Sequence, residues 1–94
     1  METLLAMLSY RRPDKSGSEN AFIERFLLPL GVTFDRYGNG ILAIGDKPTV
    51  LWSCHTDTVH KKGGKQAIEI DSNGLITLPP DSKSNCLGAD DGAG

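Results

Sequence analysis

The chain has 94 residues, 10 Lys and Arg against 12 Asp and Glu, and a formal net charge of −2. That length allows one domain at most, residues 1–94, and no second one. The charge balance gives no electrostatic case for nucleic acid or an anionic membrane surface, and no apolar stretch approaches the roughly 20 residues of a membrane-spanning helix. The N-terminus lacks the basic, apolar and small-residue regions of a secretory signal, and two cysteines make no disulfide framework. A cytoplasmic location with reduced thiols is expected.

Leu4, Leu5, Met7 and Leu8 stand at helical spacing and predict a short amphipathic helix over Thr3–Tyr10. Pro13 biases the residue before it away from helix, so Arg11-Arg12-Pro13-Asp14 ends that element. Ser16 followed by Glu19 is a capping-box pattern. It opens a second helix with Phe22, Ile23, Phe26, Leu27 and Leu30 on one face, closed irregularly by Pro29 and Gly31. Val32–Arg36 and Ile41–Ile44 predict a hairpin about Tyr37-Gly38-Asn39-Gly40. After a turn at Gly45–Pro48, Thr49–Cys54 is an almost continuous apolar run, the pattern of a central strand covered on both faces. Trp52 and Cys54 are expected inside. Lys61, Lys62 and Lys65 with Gly63 and Gly64 read as a solvated loop. Gln66–Ile70 and Leu75–Leu78 flank a strong turn signal at Asp71-Ser72-Asn73-Gly74. Pro79–Asn85 is polar and loop-like, and Leu87–Gly94 leads into a further element. The order of elements predicts an α/β fold with undetermined strand order.

Two motifs carry chemistry. His55-Thr56-Asp57 follows the carboxyl end of the apolar strand, the edge at which open α/β sheets bind ligands. Imidazole and carboxylate are zinc ligands, and a metal-bound histidine gives its other ring N–H to a carboxylate or carbonyl. Asp57 lies on the same side as His55 if the chain is extended there. Taken alone, a histidine at a strand end also suits a purely structural role. Asp90-Asp91 lies between small residues, where a carboxylate could bridge two ions, or could simply cap a helix. His60 reads as a turn residue, and Cys86 as a packed loop thiol although thiolate is a good zinc ligand.

His55-Thr56-Asp57-Thr58-Val59 together with Leu87-Gly88-Ala89-Asp90-Asp91-Gly92-Ala93-Gly94 resembles the di-zinc exopeptidases and deacylases, the group of peptidase T, carboxypeptidase G and acetylornithine deacetylase. The resemblance covers the whole chain and is closest to the peptidase T-like branch. It implies the N-terminal part of a mixed-sheet zinc-peptidase (phosphorylase/hydrolase-like) catalytic domain, incomplete as it stands. It implies that His55 ligates one zinc, that Asp90 bridges two, and that Asp57 serves catalysis by orienting His55. Asp91 then shapes the site after a cis Asp90–Asp91 bond. The implied substrate is a short peptide or an N-acyl amino acid. The family's glutamate pair, further acidic ligand and distal histidine have no counterpart up to Gly94. The chain by itself is therefore expected to be inactive and to bind zinc weakly, unless another chain supplies the missing ligands; a homodimer is a further expectation. The alternative is a non-catalytic interaction or regulatory module that retains the fold.

Overall fold

A computed structural model describes residues 1–93. Gly94, the last residue of the second motif, lies outside the described residues. The described residues form a small mixed α/β domain of two helices and two separate two-stranded antiparallel sheets. Among the described residues no helix is long and apolar enough to cross a membrane.

Helix α1 spans Glu2–Leu8 and ends two residues earlier than its periodicity predicts. Ser9 turns the chain because Tyr10 is taken into an antiparallel bridge with Lys65. Arg11 N–H donates to Gly64 O at 2.9 Å, and Gln66 N–H donates to Ser9 O at 2.8 Å. Long-range pairing thus overrides local helical preference at the end of α1.

Helix α2 begins at Gly17–Phe22 under the predicted cap, with Glu19 N–H donating to Ser16 Oγ at 3.1 Å. The reciprocal arm of the box reaches one residue further back, where Glu19 Oε1 accepts Lys15 N–H at 2.8 Å. After Phe22 the helix widens into a π turn over Ile23–Leu27 and tightens into a 3-10 turn over Leu28–Leu30. Pro29 causes this irregular end, since it lacks an N–H and its ring would strike the carbonyl four residues back. Gly31 closes the helix at φ 88°.

The core is small. Leu8, Tyr10 and Phe22 are buried, with Phe26 against both rings. Tyr10 meets Phe22 and Phe26 edge-on at 6.0 and 5.9 Å, the favoured geometry for ring quadrupoles. Arg12 is fully buried and lays its guanidinium 4.1 Å from the Phe22 centroid.

Strands β1 (Thr33–Phe34) and β2 (Gly40–Ile41) pair as the first hairpin, and β3 (Glu69–Ile70) and β4 (Ile76–Thr77) as the second. Both are shorter than the predicted runs, and both turns use one device: an aspartate side chain collects the loop amides. Asp35 accepts from Tyr37 N–H and Asn39 N–H, and Asp71 from Asn73 N–H and Leu75 N–H, all at 2.9 Å.

The predicted central strand is corrected. Thr49–Cys54 forms no strand, and Leu51 and Trp52 are 92% and 91% exposed. Cys54 is exposed as well, so neither it nor Trp52 belongs to the core. A strand exists through its neighbours, and the described residues offer this run no partner on either edge. Its apolar pattern is real, but nothing in the described domain covers it.

Candidate metal centre

Residues 55–60 are irregular, with bends at Thr56 and Val59. Thr56, Thr58 and His60 turn inward, while His55 and Val59 face out. The inward face docks on the start of α2 and the Tyr10–Arg12 segment. Thr56 Oγ1 donates to Glu19 Oε2 at 2.7 Å, and Thr58 N–H donates to Arg12 O at 2.7 Å. His55, Asp57, Thr58 and Val59 line one side of a cavity of about 250 Å³, whose other lining residues are Cys86, Gly88, Ala89 and Asp90.

In that cavity His55 Nδ1–H donates to the backbone carbonyl of Asp57 at 2.7 Å, with the Asp57 carboxylate 3.4 Å away. In the neutral ring this bond places the lone pair on Nε2, 3.9 Å from Asp90 Oδ1. Asp57 holds the ring through its main chain first and its carboxylate second. His55 has its pKa raised above the ordinary 6.5 by that carbonyl bond and by the nearby charges of Asp57, Asp90 and Asp91. Asp90 is 96% exposed on its side chain, and the Asp90–Asp91 peptide bond is cis, as the sequence resemblance implies. Asp91 is half-buried beside them.

The donor set suits a metal. Two atoms about 2.0–2.2 Å from one zinc lie about 3.3 Å apart at the tetrahedral angle. The observed separation of 3.9 Å is longer than this. Cys86 lines the same cavity, but burial pushes its thiol up from the ordinary 9.0, which favours the neutral form over a metal-binding thiolate.

A second group was not foreseen. Asp14, Glu19 and Asp57 each offer a carboxylate oxygen, all within 4.8 Å of one another, and this set could coordinate a metal ion. Both Glu19 oxygens already accept hydrogen bonds, from Lys15 N–H and Thr56 Oγ1. Glu19 and Asp57 also supply the negative charge that opposes the burial of Arg12.

Arg12, His60 and Gln66 are the functional side chains that sequence patterning missed. They hold three consecutive carbonyls of the loop that carries Asp90. His60 Nε2–H donates to Cys86 O at 3.0 Å, Gln66 Nε2 donates to Leu87 O at 2.9 Å, and Arg12 Nη2 donates to Gly88 O at 2.7 Å. At its other nitrogen, His60 Nδ1 accepts from Arg12 N–H at 3.3 Å and from the Thr58 hydroxyl. The ring is buried and its bonds define the neutral tautomer. His60 is thus the support of the Asp90 loop, not a turn residue in solvent.

Burial pushes the His60 pKa below the ordinary 6.5, with Arg12 and Arg11 adding repulsion against the hydrogen bonds that oppose the shift. The folded state therefore binds fewer protons than the unfolded one in this range. The contribution to stability is complete above pH 6.5 and is lost as the pH falls from there through the lowered folded value. Thermal melts at stepped pH should show the midpoint falling as the medium is acidified below that point. A midpoint that rises over that window would contradict the neutral, buried assignment.

Comparison with known proteins returns no matching family model, no matching curated protein and no matching solved structure.

Proposed function

We propose that this chain is the N-terminal part of a di-zinc exopeptidase or deacylase catalytic domain, acting on the amide bond of a short peptide or an N-acyl amino acid. The observation that carries this reading is the orientation of His55. Its Nδ1 proton is engaged by Asp57 O, and its free Nε2 faces Asp90 across 3.9 Å of an open cavity. On this reading His55 and Asp90 are ligands, Asp57 orients His55, and Asp91 shapes the wall. When bound, paired zinc ions lower the pKa of a water towards about 7 and polarise a carbonyl. The chain's own residues turn the imidazole through Asp57 O and fix the Asp90 loop through Arg12, His60 and Gln66. The general base and the remaining ligands come from other polypeptide, so the 94-residue chain alone binds zinc weakly and does not turn over.

The test is zinc titration of the purified chain, read by calorimetry and by elemental analysis after dialysis, beside His55→Ala and Asp90→Ala. Losing a supporting contact to a ligand commonly lowers metal affinity by about 10–100-fold. Loss of either ligand should do at least that. Equal zinc in all three proteins would sink the ligand roles, and so would retention centred on Asp14 and Glu19.

The exposed run Val50-Leu51-Trp52 favours a second reading, a module that works by docking to another polypeptide. That reading gains if the parent chain takes up no zinc at all.

A further inference from the structure

Lys61 and Lys62, two of the three lysines of the cluster that reads as a solvated loop, are drawn in the fold into a cavity of about 120 Å³ with residues from two distant segments. Its lining is Arg11, Lys61, Lys62, Lys83, Ser84 and Asn85. We infer that this cavity is a binding site for a compact oxyanion of the phosphate class, carrying more than one negative charge.

The first ground is charge. Four of the chain's ten Lys and Arg residues line one small cavity, in a protein whose net charge is −2, and no Asp or Glu lines it. Among the described residues the ion pairs within 4.0 Å are those of His55 with Asp57 and with Asp90. Arg11, Lys61, Lys62 and Lys83 thus converge with no carboxylate neutralising them at that range. A single carboxylate would leave most of this charge unbalanced, whereas a phosphate dianion offers charge and acceptors to several donors together.

The second ground is independent of charge counting. Arg11 Nε is buried and has no hydrogen-bond partner. A buried donor left unpaired is unfavourable by about 1–3 kcal/mol, and this one belongs to the one guanidinium that lines the cavity. Guanidinium is the side chain whose fixed fork best fits a tetrahedral oxyanion.

The third ground is that the walls are held by main-chain contacts. Arg11 is pinned by its N–H to Gly64 O and by its carbonyl, which accepts the Ser18 hydroxyl. Lys61 N–H donates to Asn85 Oδ1 and Asn85 Nδ2 donates to Val59 O, both at 2.9 Å, which ties the two lysine-bearing segments together. Gly64 sits at φ +90°, and a Cβ there would stand 3.1 Å from Arg11 Nη2, so glycine leaves the guanidinium room. The backbone that presents the charges is ordered before any ligand arrives, which reduces what binding must spend on ordering. None of the residues lining this cavity lines the His55–Asp90 cavity, so the inference does not depend on zinc chemistry.

The experiment is a titration of the full chain with inorganic phosphate at constant pH and ionic strength, followed by amide shifts of residues 11, 61–62 and 83–85. Parallel titrations use acetate and an alkyl phosphomonoester. The expected result is saturable binding of phosphate, tighter than acetate, with the shifts confined to those segments. Arg11→Gln and Lys83→Gln should each weaken it about fivefold or more, as loss of a charge-assisted bond implies. Lys83 is exposed, so that variant keeps the fold if Arg11→Gln does not. Lys47→Gln, outside the cavity, should change nothing. Comparable binding of the phosphomonoester would identify a phosphoryl group on a larger molecule as the ligand, and much weaker binding the free ion. Absence of saturation, acetate binding as tightly as phosphate, or equal weakening by Lys47→Gln would each overturn the site.

Discussion

Arg12→Ala is expected to cause the largest loss of stability of any single truncation in this chain. The guanidinium is fully buried, lies over Phe22, and donates to Gly88 O at 2.7 Å and to Met7 O at 3.4 Å. Removing it strands the Gly88 carbonyl, opens a cavity beside the Phe22 ring, and leaves buried Glu19 without its cationic counterpart. Leaving a buried acceptor unpaired typically costs about 1–3 kcal/mol, and the cavity left by a large buried side chain adds about 2 kcal/mol or more. For a domain of this size each kcal/mol is worth about 4–8 °C in melting temperature, so the midpoint should fall by about 12 °C or more. A domain this small has only a few kcal/mol in hand, and the variant should be largely unfolded at room temperature by circular dichroism.

Two further substitutions at the same position separate the causes. Arg12→Met keeps the stem over Phe22 but removes charge and donors, so it should recover the packing part only. Arg12→Lys restores the charge without the fork that reaches Gly88 O. If all three variants melt within a few degrees of the parent, Arg12 is not the brace of the Asp90 loop.

Much of the local structure was legible because it is encoded by short-range chemistry. Ser16 and Glu19 announce the start of α2, and Pro29 its irregular end. Asp35 and Asp71 gather the amides of their own turns within a few residues. Thr49–Cys54 was misread because a strand is a property of a pair, and its apolar pattern says that it wants neighbours without saying where they are. Arg12 and His60 escaped for another reason. Apolar periodicity finds apolar cores, and the inward face of 55–60 is Thr56, Thr58 and His60, whose burial is sustained by hydrogen bonds to groups far along the chain. The approach of His55 to Asp90 was legible only through the paired motifs. Neither residue is informative alone, and 34 residues intervene between them.

Gly88→Ala is expected to be the most damaging change that adds atoms, and its effect should reach both stability and metal binding. Gly88 sits at φ +80°, a conformation that costs a residue with a Cβ about 1–2 kcal/mol. The added carbon would also overlap His60 Cε1. That ring has no freedom to withdraw, because Arg12 N–H holds Nδ1 and Cys86 O holds Nε2–H. Forcing an extra methyl into such a site typically costs about 1–3 kcal/mol more. Gly74→Ala provides the internal control: its φ is +81°, and nothing lies within 4 Å of an added Cβ. It should lose the backbone part alone, so the difference between the two melting points measures the His60 contact. Gly88 is two residues before Asp90, and relief of the clash moves the loop away from His60. Zinc uptake by folded Gly88→Ala should therefore fall below that of Gly74→Ala. Equal melting points and equal zinc uptake in the two variants would show that the ring does not set the position of this loop.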